Sequence, residues 1–175
     1  FQPHKNPKKL DVKIMLSFLT CNCGGGDVVG NSNNFRRMVE GSKVVSKDLR
    51  RAVKHGKLLG QGLTASVFRV KMNGEIFALK RIDKHVRLTK SVKKALQHEV
   101  SILRHLQRVR SGHRHLCNFF QVYEDAKNLY LTLELCQGGE LFDYIVNNNT
   151  KHFSEKEVAT LVTQIARGLR TLHMA

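Results

Sequence analysis

The stretch from Lys57 to Lys80, KLLGQGLTASVFRVKMNGEIFALK, limits the possible fold more than any other part of the chain. Its apolar residues alternate (Leu59, then Val67, Phe68 and Val70) around two glycines one residue apart, Gly60 and Gly62. That pattern predicts a strand, a tight glycine turn and a second strand. Asn73-Gly74, between Val70 and Ile76, is the strongest short-range signal for a two-residue hairpin. A third strand, Ile76 to Lys80, then ends on a lone lysine. Glycines leave room for backbone N–H groups to approach phosphate oxygens, and a nearby lysine adds a point charge. The hairpin therefore suits a lid over a nucleotide. Taken alone, a Gly-x-Gly between strands is more often a plain turn, so the assignment rests on the downstream residues as well.

With 175 residues, 41% of them hydrophobic, the chain can form one ordinary domain with its own core. The four cysteines (Cys21, Cys23, Cys117 and Cys136) form no Cys-x-x-Cys, and the histidines lack zinc-finger spacing, so no metal site is expected. So few cysteines point to a reducing, cytoplasmic (intracellular) location. The apolar run Ile14 to Leu19, behind Lys8, Lys9 and Lys13, is too short for a signal peptide. No run approaches the length that spans a membrane. The formal charge of +16 is uneven: residues 1–57 hold 12 Lys and Arg against 4 acids, residues 80–114 hold 11 against 2, and residues 115–175 hold 5 against 7. A basic field favours anionic partners such as nucleic acid or acidic lipid. No aromatic platform interleaves the basic run, so a solvated surface is the simpler reading and nucleic acid is not the expected partner.

Residues 1–50 read as a basic leader with loop composition at Cys23-Gly-Gly-Gly26 and Gly30-Asn-Ser-Asn-Asn34, expected to be mostly disordered. Cys21 and Cys23 beside the apolar run leave acylation, and so membrane association of the leader, open. Order is expected from near Leu49. After Lys80, Thr89 or Ser91 can cap a helix whose stripe is Val92, Leu96, Val100, Leu103 and Leu106. Glu99 lies in that run beside the stripe; a glutamate there is ordinarily a solvated helix residue. Arg108 to His115 reads as a basic loop. Two strands come next, Leu116 to Glu124 and the nearly continuous apolar Leu129 to Cys136, joined by the turn Asp125-Ala-Lys-Asn128. Gly138-Gly139 breaks the second strand, Glu140 to Val146 has a short helix pattern, and Asn147-Asn-Asn-Thr150 is a loop. Ser154-x-x-Glu157 is a capping box. It opens a long helix whose stripe (Val158, Leu161, Val162, Ile165, Leu169 and Leu172) must pack on something.

In this order the features resemble the amino-terminal half of a eukaryotic protein kinase domain, over about residues 50–175. Gly60-Gln-Gly62-Leu-Thr-Ala65-Ser-Val67 resembles the glycine-rich loop and Phe77-Ala78-Leu79-Lys80 the V-A-I-K of the third strand. Glu99 fits the glutamate of helix C. Leu129-Tyr-Leu-Thr-Leu-Glu-Leu-Cys-Gln-Gly-Gly-Glu-Leu-Phe142 is similar to the fifth strand, hinge and helix D, and the last helix to helix E. The resemblance implies an α+β protein kinase-like fold. Its parts would be a five-stranded antiparallel N-lobe sheet with helix C, then the hinge and the first helices, D and E, of a truncated C-lobe. Residues 1–50 would be the leader and residues 51–175 an incomplete kinase domain.

The resemblance also implies roles. Lys80 would hold the α- and β-phosphates of ATP, with Glu99 as its ion-pair partner. Gly60 and Gly62 would let the loop close over the triphosphate, while Leu59, Val67 and Ala78 enclose the adenine. Leu133 would be the gatekeeper. The Glu134 carbonyl, with the Cys136 carbonyl and N–H, would read the adenine edge, and Glu140 would bind the ribose. Leu103 and Phe119 would belong to the apolar stack behind helix C. The wording around the hinge is similar to that of the calcium/calmodulin-dependent and calcium-dependent kinase groups, which implies calcium or calmodulin regulation through other sequence.

Some positions depart from the pattern. Ala65 replaces the third loop glycine, Thr64 the aromatic at its tip, and His113-Arg-His115 the usual His-Pro-Asn. The catalytic loop H-R-D-x-x-x-x-N and D-F-G, which carry the base and the magnesium ligands, do not occur in these residues. The expectation is therefore the ATP-binding portion of a serine/threonine kinase that uses ATP and Mg2+ on an unidentified protein substrate. This chain alone would be catalytically inactive and would hold no catalytic residue. The alternatives are a kinase-like scaffold and, from charge alone, a basic binder of nucleic acid or membrane.

Overall fold

The computed structural model describes residues 39–62, 65–85, 89–110, 113–138, 141–147 and 153–175. The alternating stretch forms β2 (Lys57–Gln61), β3 (Ala65–Met72) and β4 (Glu75–Asp83). The β3–β4 turn sits at Asn73-Gly74, with φ at 50° and 87°. Both angles are left-handed, as a type I′ hairpin turn requires. An added Cβ at Gly74 meets no neighbour, so Gly74→Ala isolates backbone strain from any clash. We expect it to cost about 1–2 kcal/mol, read as a lower urea midpoint at unchanged slope. An unmoved midpoint would mean that the turn relaxes to another type.

The five expected antiparallel strands are completed by β5 (Phe119–Glu124) and β6 (Asn128–Glu134). A sixth, β1 (Lys43–Val44), pairs in parallel with β5 at Tyr123 and Glu124, so the sheet is mixed, in the order β1-β5-β6-β4-β3-β2. Two residues joining a strand some eighty positions away leave no periodic trace in sequence. β5 begins later than Leu116 and β6 ends before Cys136. At the end of β6 the Glu134 N–H donates to the Asn118 carbonyl at 2.8 Å. The expected turn between them is tied by Asp125 Oδ1, which accepts the N–H groups of Lys127 (2.9 Å) and Asn128 (2.7 Å).

Both faces of the sheet are covered. Helix α2 (Lys90–Arg110) lies on one, packing Leu96, Val100 and Leu103 against Ala78, Ile82, Phe119, Val122, Leu129, Leu131 and Leu133. Thr89 rather than Ser91 caps it, accepting the Val92 N–H at 3.3 Å. The helix runs to Arg110, so Arg108 to Arg110 of the expected basic loop are helical. On the other face α1 (Lys47–Lys54) sets Leu49 and Ala52, with Val45 ahead of them, against Val70, Leu79 and Tyr130. This explains why β6 is buried from Leu129 to Leu133: its odd residues face α2, and Tyr130 faces α1. Burial and the adjacent Asp125 carboxylate push the Tyr130 phenol above its usual pKa. Residues 39–50, placed with the leader on composition, thus carry β1 and the start of α1.

Past the sheet come α3 (Leu141–Asn147) and α4 (Glu155–His173), which opens on the expected capping box at Ser154 and Glu157. The buried positions of α4 are Gln164, Gly168 and Thr171, while Val158, Val162 and Leu169 of the expected packing stripe are exposed. One of its ties to the rest is polar. Thr171 Oγ1 donates to the Arg167 carbonyl at 2.9 Å and lies 2.8 Å from His113 Nε2, which thus carries the proton. His113 Nδ1 in turn accepts the His115 N–H.

Candidate functional site

Residues of β4 alternate between the two cores. Ala78 and Ile82 face α2 while Leu79 faces α1, so Lys80 is directed to the α2 side. There its ammonium meets Glu99 Oε1 at 3.0 Å. The lysine is 6% exposed and the glutamate 3%, so Glu99 is not the solvated residue its type suggests. Taking both charges out of water is costly and is tolerated only because they meet. Glu99 Oε2 is buried and has no hydrogen-bond partner among the described residues. A buried acceptor in that condition costs about 1–3 kcal/mol. Glu99 Oε2 is thus an unused acceptor beside the buried ammonium.

The other predicted site residues lie around this pair. Val67 pairs with Lys80 across β3–β4, and Ala78 with Leu133 across β4–β6. Val67, Ala78 and Leu133 belong to the core on the α2 side, which makes one apolar wall. Leu59 and Gly60 lie at the β2 bulge, and Leu59 is half exposed. Gly62 closes its end of the turn by donating its N–H to the Ala65 carbonyl at 2.8 Å. A Cβ added at Gly60 would meet nothing within 4 Å, and its φ is not left-handed. The fold alone therefore does not require glycine at 60. Leu63, Thr64 and Glu140 lie outside the described residues.

Glu134, the last residue of β6, and Cys136, two positions beyond it, are half-buried. The Glu134 carboxylate accepts the Asn118 N–H (3.2 Å) and side-chain amide (3.0 Å), and Cys117 Sγ lies 3.5 Å from the Glu134 carbonyl. Leu103 and Phe119 are buried in the core behind α2. Sequence reasoning did not find Asn118 as the anchor of this segment. Nor did it find Glu124, a 2%-exposed carboxylate paired with Lys84 at 2.6 Å. An acid inside an otherwise apolar strand is the one signal that pointed to it. The arrangement offers one buried cation held in place, the glycine-bearing strand β2 two strands away in register, and an apolar wall beside it. Those are the elements for holding a polyanion attached to a flat apolar ring.

Comparison with known proteins gives the same picture. The family model described as "Protein kinase domain" matches residues 53–175. Calcium-dependent protein kinase 19 of Oryza sativa subsp. japonica is 32% identical over 128 residues, covering 72% of this chain and 23% of that protein. CDPK-related kinase 4 of Arabidopsis thaliana is 31% identical over 152 residues, covering 86% and 24%. Calcium and calcium/calmodulin-dependent serine/threonine-protein kinase DMI-3 of Medicago truncatula is 44% identical over 80 residues, covering 46% and 15%. The chain thus spans about a quarter or less of the length of these relatives.

Proposed function

Since the chain belongs to the protein kinase domain family over residues 53–175, we propose that it is the ATP-binding part of a serine/threonine protein kinase. The whole enzyme would move the γ-phosphate of ATP to protein hydroxyls. The observation that carries this reading is the buried Lys80–Glu99 pair, 3.0 Å apart, with Gly60 in register with Lys80 through Val67. Lys80 holds the α- and β-phosphates, and Glu99 keeps its ammonium aimed at them. A compact charge on a flexible stem suits that task. Backbone N–H groups about Gly60 and Gly62 close over the triphosphate. Leu59, Val67 and Ala78 sandwich the adenine, and Leu133 limits access behind it. The Glu134 carbonyl and the Cys136 backbone bond its edge, and Glu140 takes the ribose hydroxyls. Magnesium bound with ATP neutralises phosphate charge; its family ligands and the base that orients the acceptor hydroxyl do not occur in these residues. By themselves the residues therefore bind nucleotide without transferring phosphate. Calcium, named for two of these relatives, is proposed as the regulator of the whole protein.

Gly60→Val tests the site without disturbing the fold, because its side chain enters open space. We expect the urea midpoint to stay put and ATP affinity to fall about tenfold or more, the equivalent of one lost charged hydrogen bond. Lys80→Met should weaken ATP at least as much. Unchanged affinity in both variants would remove ATP from this site.

A further inference from the structure

Residues 39–44 precede the family match, which begins at 53, yet their contacts converge on helix α2 and on the edge of the sheet. Val39 is buried in the same core as Val100 and Leu103 of α2 and Val122 of β5. Its N–H donates to Glu124 Oε2 at 3.2 Å, and Ser42 Oγ donates to the same oxygen at 2.8 Å. The other carboxylate oxygen receives Lys84 Nζ at 2.6 Å, and that ammonium also donates to the Asp125 carbonyl. A fully buried carboxylate that gathers these donors is a fixed point, since bonds to a charged acceptor are short and strong.

From the helix side, Arg104 donates through Nη1 to the Glu40 carbonyl. Gly41, at φ +65°, turns the strap just under that guanidinium: a Cβ there would lie 3.4 Å from Arg104 Nη2. Between these ties runs a groove of about 830 Å³ lined by Gln97, Ser101 and Arg108 of α2 and by Phe120 and Gln121 of β5. The strap is consequently not zipped onto the helix by continuous packing. It holds α2 through its anchors, and Glu124 is the one that gathers most of them.

We propose that Glu124 is a positioning residue for Lys80: through residues 39–44 it sets how α2 lies on the sheet, and so keeps Glu99 within reach of the ammonium. Val100, Leu103 and Arg104, the residues the strap grips, fall within about a turn and a half of Glu99 on one rigid helix. A roll or lift at that grip is carried to Glu99 undiminished. The pair stands at 3.0 Å, and a shift of roughly 1 Å takes it beyond hydrogen-bonding distance. The consequence for nucleotide binding rests on the function proposed above; the geometric claim does not.

The test uses the full chain without nucleotide. Two quantities are read: the acetylation rate of the Lys80 amine, by peptide mapping, and amide hydrogen exchange across the strap of residues 39–44, α2 and β3–β4. In Glu124→Gln, which keeps the side-chain shape and loses the charge, Lys80 should be modified about tenfold faster. Exchange should rise over residues 99–108 while β3–β4 keeps its protection. Arg104→Ala should act in the same direction, and Lys84→Arg, which preserves the buried charge pair, should stay near the parent. Two outcomes overturn the proposal. In one, the strap loosens in Glu124→Gln while Lys80 and α2 are unaffected; in the other, β3–β4 loses protection equally, as in simple destabilisation. ATP titration of the parent keeps the two readings apart. A parent that ignores ATP but whose Lys80 responds to Glu124 refutes the nucleotide assignment alone.

Discussion

Replacing Glu99 with leucine while Lys80 stays is expected to cost about 3–5 kcal/mol, because the buried ammonium loses the carboxylate 3.0 Å away. Lys80 is 6% exposed, so it cannot turn to water without opening the seam between β4 and α2. Lys80→Met, which strands the carboxylate instead, should cost a similar amount. The double variant Lys80→Met/Glu99→Leu should recover most of the loss, and well-packed apolar pairs in such places often match or exceed the native stability. The measurement is a double-mutant cycle by urea unfolding, with a coupling of about 2 kcal/mol or more expected. Single variants costing under about 1 kcal/mol would mean that the pair is solvated like a surface salt bridge. The expected pattern has a functional meaning. A charge pair that apolar residues could replace is not kept for stability, and the unpartnered Glu99 Oε2 beside it adds to the cost.

Leu49→Ala is expected to cost about 2–5 kcal/mol. Leu49 is 1% exposed and packs with Val45, Ala52, Val70, Leu79 and Tyr130 on the face of the sheet opposite α2. That face would otherwise leave Val70, Leu79 and Tyr130 open to water. The reading is a lower urea midpoint at unchanged slope, since a cavity alters stability and not the surface exposed on unfolding. A cost under about 0.5 kcal/mol, the usual size for surface substitutions, would show that α1 does not pack there. Leu49 stands only four residues before the family match begins. A large effect would therefore extend the folding unit into the stretch whose composition reads as a leader.

Much of this was legible in the residues because it depends on near neighbours. The hairpin follows from Asn73-Gly74, whose left-handed angles few other residue pairs adopt readily. The stripe from Val92 to Leu103 makes an α2 face at helical spacing, and Ser154 with Glu157 closes its capping box within one turn. Lys80 and Glu99 were marked by motif resemblance, and the structure sets them 3.0 Å apart. Periodicity could not say that Glu99 is buried, because a glutamate beside an apolar stripe faces water or core according to what lies opposite. The same holds for α4: Val158, Val162 and Leu169 form a stripe, and no described element covers them.

Local sequence therefore specifies the order of strands and helices, the turn that joins β3 to β4, and the lysine and glutamate of the site. Tertiary structure alone reveals that residues 39–48 belong to the fold, that β1 joins β5 in parallel, and that Glu124 gathers Ser42, Val39 and Lys84. The difference is one of range. Turn angles, caps and helix faces are set within a few residues, whereas Val39 and Glu124 lie 85 positions apart and meet only after the sheet has formed. No local pattern records such a meeting, because its stabilisation comes from burying groups together and not from the conformation of either segment.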